Sequence, residues 1–171
     1  MVPYDIITLS TSQLNIPLLT AVAKLIDNDL LFPAILLFLA FMAEQGKRRN
    51  RLVLTLGVIF LLGTGVKYLA HEIRPCSTIL SKVQCPSDYS FPSSHVVLAF
   101  ALAAALWKKP NGWIYTIFAV FVAFTRVYLG VHTLFDVFGG MAIGILGNSV
   151  VEIAWGKIPS DFKKPVSDFL E

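Results

Sequence analysis

The side chains of this sequence that are suited to acid–base or anion chemistry lie at or near the ends of apolar stretches. The set is Lys67, His71, Arg74, His95, Arg126, His132 and Asp136, and it contains all three histidines of the chain. An ionisable side chain at the centre of a membrane helix costs about 2.5–3.5 kcal/mol on insertion scales, so such residues usually face a cavity or a partner. Their shared position predicts one polar pocket.

The spacing of these residues indicates an oxyanion site with acid–base groups. His132 and Asp136 are four residues apart, so the carboxylate can hold one imidazole nitrogen while the other faces the pocket. Lys67 and Arg74 are seven residues apart, which is about two helical turns. This spacing predicts that both cations point the same way from one helix, which Pro75 then ends.

A helix N-terminus adds to this predicted pocket. The segment Pro92-Ser93-Ser94-His95 precedes an apolar run. Free backbone N–H groups and the helix dipole at such a position attract an anion. Three cations, a hydroxyl, a helix N-terminus and two histidines together fit a phosphoryl group.

Five apolar blocks position these residues. Runs without Asp, Glu, Lys or Arg cover residues 30–43, 52–66, 89–107, 110–125 and 137–151. The chain is 56% hydrophobic and 15% charged, against about 45–50% and about 25% in soluble domains. This composition excludes intrinsic disorder, and the net charge of +3 is too small and scattered for a nucleic-acid surface. Since a spanning helix needs about 20 mostly apolar residues, we predict an all-α integral membrane bundle of about five transmembrane helices.

The chain is predicted to form one domain over residues 1–171. Residues 1–27 carry many polar side chains and one apolar helical face, which favours short helices at the membrane interface. An additional span hidden there is the alternative. Residues 28–156 then form the transmembrane bundle, and residues 157–171 form a cytoplasmic tail.

Basic residues set the predicted orientation. They cluster at Lys47, Arg48, Arg49 and Arg51, at Lys108 and Lys109, and at Lys157, Lys163 and Lys164. The positive-inside rule places these three clusters in the cytoplasm. The chain would then be a multi-pass protein of the cell membrane, with its N-terminus and the polar pocket on the extracytoplasmic side.

Three motifs in this region resemble those of the type 2 phosphatidic acid phosphatase superfamily, which includes membrane lipid phosphatases and vanadium-dependent haloperoxidases. Residues 67–75 match K-x6-R-P, residues 92–95 match P-S-G-H, and residues 125–136 match S-R-x5-H-x3-D. The motifs follow the expected order over about 40% of the chain. Two positions depart from the pattern, since Ser94 replaces a glycine and Thr125 replaces a serine.

The resemblance implies a role for each matching residue. His132 would attack phosphorus and form a phosphohistidine, Asp136 would orient its ring, and His95 would protonate the departing oxygen and then activate water. The phosphate would be bound by Lys67, Arg74, Ser93, Ser94 and Arg126. The resemblance implies neither a metal nor another cofactor.

The implied activity is hydrolysis of a lipid phosphate or diphosphate at the extracytoplasmic face, with a polyprenyl diphosphate of undecaprenyl or dolichyl type as the preferred substrate. The substrate and the membrane lipids are the expected partners. A phosphatase of phosphatidic acid or phosphatidylglycerol phosphate is the alternative within the class. An anion or proton-coupled transporter is the alternative from another class, although the sequence lacks the internal repeats that are common in transporters.

Two further pairs of residues leave alternatives open. Cys76 and Cys85 form either a disulfide, which an oxidising exterior would permit, or two free thiols. Gly140 and Gly144 form a G-x3-G pair that serves either packing within the chain or a homodimer interface.

Overall fold

The computed structural model describes residues 5–157, which contain seven α-helices and no strand. The helices are α1 (Ile6–Gln13), α2 (Pro17–Asp27), α3 (Leu31–Ala43), α4 (Gly46–Ala70), α5 (Ser94–Leu106), α6 (Gly112–Tyr128) and α7 (Leu134–Lys157). The predicted all-α membrane fold is confirmed. The division of residues 1–171 into interfacial, transmembrane and tail segments stays a prediction.

Helices α3 to α7 coincide with the five apolar blocks. By length and composition, α4 and α7 are each able to cross a membrane. Helices α3, α5 and α6 are apolar but shorter, with 13, 13 and 17 residues. The block over residues 89–107 is longer than its helix because residues 89–93 form irregular chain before Ser94. The number of five spans therefore stays a prediction.

Helices α1 and α2 form a bent pair at the N-terminal end of the described chain. Asp5 caps α1 by accepting a hydrogen bond from the Thr8 amide at 2.7 Å, and Pro17 begins α2. The two helix axes differ by 111°, and the pair is apolar enough to count as a broken span or a re-entrant segment. Residues 6–27 thus form short helices as predicted, and they pack on α6, where the Tyr128 hydroxyl lies 2.7 Å from that of Thr20.

Helix α5 is the centre of the bundle and packs against α3, α4, α6 and α7. Most of its side chains are fully buried alanines, valines and leucines. Gly140 and Gly144 of α7 lie directly against it. A Cβ at Gly140 would lie 3.0 Å from the Ser93 carbonyl oxygen, and one at Gly144 would lie 2.4 Å from that of Val97. Close packing within the chain therefore accounts for this glycine pair, while a homodimer stays untested.

We expect Gly144→Ala to destabilise the bundle. Its Cβ would meet the Val97 carbonyl oxygen at 2.4 Å and the Ala101 nitrogen at 2.9 Å, both backbone atoms that cannot rotate away. Overpacking of this kind typically costs about 1–3 kcal/mol. Thermal unfolding in detergent would show a lower midpoint. Gly57→Ala is the matched control, because nothing lies within 4 Å of a Cβ there; equal midpoints for the two variants would contradict the prediction.

The basic clusters meet at one end of the bundle. Arg51 of α4 forms an ion pair with Glu152 of α7, and Lys109 after α5 pairs with Glu44 after α3 at 2.8 Å. Adjacent to these pairs lies a cavity of about 540 Å³. The three motifs lie at the other end. Lys163, Lys164 and the rest of the predicted tail beyond Lys157 are outside the described residues.

The loop over residues 71–93 closes the motif end. Helix α4 ends at Ala70, and His71 adopts a left-handed conformation with φ 51°. Arg74 therefore lies beyond the helix, and the prediction that Lys67 and Arg74 share one helical face is wrong. Loop residues Cys76 and Cys85 are bonded through their sulfurs, with a Cα–Cα distance of 5.5 Å.

Candidate active site

A cavity of about 770 Å³ joins the three motifs. Six of the predicted site residues line it: Lys67, Arg74, Ser94, His95, Arg126 and His132. The remaining two, Ser93 and Asp136, are completely buried in the structure. The Ser93 amide donates to the Asp136 carbonyl oxygen at 3.2 Å, so these two residues tie the start of α5 to the start of α7. The fold thus brings all eight residues together.

His132 and Asp136 form the deepest part of the site. His132 Nδ1 lies 3.4 Å from Asp136 Oδ2, and the same oxygen accepts a 2.7 Å hydrogen bond from the Thr133 amide. Because α7 begins at Leu134, the histidine precedes the helix and the aspartate sits in its first turn. With Nδ1 towards the carboxylate, Nε2 carries the lone pair and faces Arg74, whose Nη1 lies 3.0 Å away.

Ser90 is a contact of Asp136 that the sequence reasoning missed. Its hydroxyl donates to Asp136 Oδ2 at 2.6 Å and lies 3.4 Å from His132 Nδ1. The residue is completely buried, and its own amide donates to the Glu72 carbonyl oxygen at 2.7 Å. A serine in a loop has no periodicity that reveals such a contact. Ser90 and Thr133 hold the carboxylate in place beside the imidazole.

Four buried polar atoms of the predicted site residues have no hydrogen-bond partner among the described residues: Ser93 Oγ, His95 Nε2, Arg126 Nη2 and Asp136 Oδ1. His95 lies in the first turn of α5, where its ring packs on Phe32 with centroids 4.3 Å apart. Buried polar groups in folded proteins are nearly always paired. An oxyanion with a bound oxygen leaving group would supply acceptors for the first three atoms, whereas Asp136 Oδ1 needs a donor.

Two carboxylates that the sequence analysis did not assign hold the cations of the site. Asp88 in the 71–93 loop binds Lys67 at 2.8 Å and Arg74 at 2.7 Å. Asp27, the last residue of α2, binds Arg126 at 2.7 Å. The second pair gives the N-terminal helices a direct part in building the site. Residues 99 positions apart in the sequence form this pair, so no local pattern could have revealed it.

Asp88 is ionised at neutral pH. Partial burial alone would raise the pKa of its carboxyl, but the hydrogen bond from Lys67 and the charge of Arg74 outweigh burial and hold the pKa below its ordinary value. Its side chain is still 40% exposed, whereas those of Lys67 and Arg74 are 4% and 7% exposed. The carboxylate therefore reaches the buried cations from the open side of the cavity.

Metal ligands do not gather in the described part of the chain. Within residues 5–157, no group of three or more His, Cys, Asp or Glu side chains is arranged to hold a metal ion. The expectation that the reaction uses no metal stays a prediction. The side chains available to neutralise a bound oxyanion in this cavity are Lys67, Arg74 and Arg126.

Comparison with known proteins gives consistent matches. The family model of the PAP2 superfamily matches residues 49–155. YbjG of Escherichia coli K12, which is provisionally named an undecaprenyl-diphosphatase, is 30% identical over 148 residues, covering 81% of this chain and 75% of that protein. The undecaprenyl-diphosphatase of Sulfolobus acidocaldarius is 34% identical over 109 residues, covering 57% of this chain and only 52% of that protein.

A solved structure shows the same architecture. The crystal structure of a transmembrane PAP2-type phosphatidylglycerolphosphate phosphatase from Bacillus subtilis aligns with a TM-score of 0.68 at 27% identity. The alignment covers 90% of this chain and 85% of that one.

Proposed function

The chain belongs to the PAP2 superfamily and, with phosphatases as the relatives that it matches, is a membrane lipid phosphatase. We propose that it removes a phosphate from a polyprenyl diphosphate through a phosphohistidine at His132. One observation carries this proposal. A buried imidazole is oriented by Asp136, and its Nε2 lies beside Arg74 at the wall of a cavity that also holds His95 and Arg126. Nucleophile, orienting carboxylate, acid–base histidine and cations thus share one cavity.

The proposed first step transfers the phosphoryl group to the protein. His132 Nε2 attacks phosphorus as the bond from phosphorus to the leaving oxygen breaks, and His95 gives its proton to that oxygen. Asp136 accepts a hydrogen bond from Nδ1 and stabilises the positive charge that develops on the ring, as the aspartate does in a Ser-His-Asp triad.

In the proposed second step, water releases the phosphate. His95 takes a proton from water, the resulting oxygen attacks phosphorus, and the bond to His132 Nε2 breaks. Phosphoryl transfer depends mainly on positioning and on stabilising charge on the equatorial oxygens. Lys67, Arg74 and Arg126 supply that charge, and Ser93 and the amides at Ser94 and His95 supply further donors at the start of α5.

The substrate assignment is supported by the relatives. Two of them carry the name undecaprenyl-diphosphatase, and the Bacillus structure carries the name of a phosphatidylglycerolphosphate phosphatase. We place the polyprenyl diphosphate first and phosphatidylglycerol phosphate or phosphatidic acid second. The cavity recognises the phosphate, which all these lipids share.

We further propose that the site faces the extracytoplasmic side of the cell membrane. The basic residues Arg48, Arg51 and Lys108 line the cavity at one end of the bundle, while the candidate active site lies at the other. Under the positive-inside rule the basic end is cytoplasmic. A proteolytic probe that does not cross membranes would test this orientation in intact cells.

The function is tested by phosphate release from purified protein in detergent with EDTA present. Undecaprenyl diphosphate, phosphatidylglycerol phosphate and phosphatidic acid are offered side by side at equal mole fractions. We expect EDTA-resistant release from all three, fastest from the diphosphate. If one of the other two lipids released phosphate fastest, that lipid would replace the diphosphate as the proposed substrate. Absence of release from every lipid by folded protein would overturn the proposal.

A further inference from the structure

The carboxylate of Asp88 occupies a place that suits a phosphate oxygen. Asp88 Oδ1 accepts hydrogen bonds from Arg74 Nη2 at 2.7 Å and Nε at 3.1 Å, and Oδ2 accepts from Lys67 Nζ at 2.8 Å. Each of these two oxygens thus binds a cation that the proposed function assigns to the substrate. Carboxylate and phosphate present similar pairs of oxygens to an arginine fork.

We propose that the Asp88 carboxylate competes with the substrate for the phosphate site, so that a ligand enters this site only by displacing the carboxylate from Lys67 and Arg74. This inference rests on the proposed function, since it takes the two cations as phosphate ligands. Exchange of one carboxylate for a dianionic terminal phosphate adds negative charge beside the buried cations and is favourable. Exchange for the monoanionic phosphodiester of an ordinary membrane phospholipid adds none.

The backbone around Asp88 is fixed, so the exchange needs only rotation of its side chain. Three residues before it, Cys85 is bonded to Cys76. Two residues after it, the Ser90 amide donates to the Glu72 carbonyl oxygen at 2.7 Å. The side chain between these anchors is 40% exposed, which leaves it room to swing into solvent.

The arginine that binds Asp88 also covers the proposed nucleophile. Arg74 uses Nε and Nη2 to hold Asp88, while its Nη1 lies 3.0 Å from His132 Nε2. In this arrangement the guanidinium covers the lone pair that must attack phosphorus. Since Arg74 also donates to the backbone carbonyl oxygens of Asp88 at 3.1 Å and Val131 at 3.2 Å, the guanidinium stays in place, and a bound phosphate must compete with His132 for Nη1 before Nε2 can attack.

In a membrane, this competition reduces the binding of ordinary phospholipids to the site. Phosphodiester lipids surround the protein at far higher concentration than a phosphorylated carrier. A tethered carboxylate weakens the binding of every anion by the same factor. The ratio of their affinities is unchanged, but the fraction of sites that the weakly binding phosphodiesters fill becomes smaller.

The test is calorimetric binding of inorganic phosphate, buffered to be a dianion, and of dimethyl phosphate, a monoanion, to the full chain in detergent. We expect Asp88→Asn to bind both anions about 10- to 100-fold more tightly than the natural chain. The reason is that the anion no longer has to replace the charge-assisted hydrogen bonds that Lys67 and Arg74 donate to the Asp88 carboxylate. The two factors should be equal, since both anions displace the same carboxylate. Asp88→Ala should show the same gain in affinity for both anions.

Asp29→Asn is the matched control. Asp29 also lines the cavity, and its loss removes the same unit of charge without touching the pairs of Lys67 and Arg74. A general field acts in proportion to ligand charge, so any effect of this variant should be larger for the dianion than for the monoanion.

Three results would overturn the inference. Unchanged or weaker phosphate binding by both Asp88 variants would mean that Asp88 only positions the cations. A gain clearly larger for the dianion than for the monoanion would mean that Asp88 acts through its field alone. Absence of phosphate binding by the natural chain and the variants alike would refute the phosphate site itself, and would thereby overturn the proposed function first.

Discussion

Replacement of His132 by alanine should reduce phosphate release from a lipid diphosphate by about 10⁴-fold or more, the scale seen when the nucleophile of a coupled catalytic group is removed. The physical reason is that in the proposed mechanism the imidazole provides the nucleophilic nitrogen, and no other described histidine contacts an aspartate. The measurement is phosphate release under saturating substrate, together with thermal unfolding to show that the variant folds.

The third histidine provides a matched control. His71 lies outside the cavity lining and packs on Tyr89 with ring centroids 4.5 Å apart. His71→Asn removes an imidazole from the same end of the protein, and asparagine tolerates the left-handed backbone at this position. We expect this variant to keep its activity. Turnover retained in His132→Ala would refute the nucleophile assignment.

Replacement of His95 by alanine should separate the two proposed steps. With a lipid substrate, whose alkoxide or phosphate leaving group needs a proton, the rate should fall by about 10²- to 10⁴-fold. With an aryl phosphate, whose leaving group departs without a proton, the first step should survive. Water activation is still lost, so the phosphorylated protein should accumulate. Intact-mass spectrometry after a brief incubation would detect one added phosphoryl group per chain.

The double variant His95→Ala, His132→Ala locates the phosphoryl group. It should accumulate none, because the attacking nitrogen is absent. Phosphorylation of the double variant would place the covalent intermediate on another residue. A failure of His95→Ala to accumulate any phosphorylated protein, with the aryl phosphate still consumed, would mean that His95 is not needed to activate water.

The N-terminal helices have a role that their composition does not suggest. Asp27 at the end of α2 neutralises Arg126, a residue only 1% exposed. Leaving a buried charge unpaired is strongly unfavourable, so the pair fixes α2 against the end of α6. Helix α2 is thus part of the site through Asp27.

Much of the fold was predictable from local sequence. Apolar runs gave the positions of α3 to α7, because burial in a membrane or a core requires continuous apolar surface over a helix. The polar residues at the run ends were predictable as one pocket, since charge is tolerated only where it meets a cavity or a partner. The end of α4 before Arg74 was not predictable from the sequence. His71 ends α4 by adopting a left-handed conformation, three residues before Arg74 and four before Pro75.

The sequence by itself determined the helical membrane architecture, the family and the eight residues brought to one site, because these depend on composition and on short, ordered motifs. Tertiary structure alone decided that Asp88, Asp27 and Ser90 complete the site. Their contacts join residues 14 to 99 positions apart. Such contacts depend on the path of a loop or on the docking of a helix, and neither of these produces a periodic pattern in the sequence.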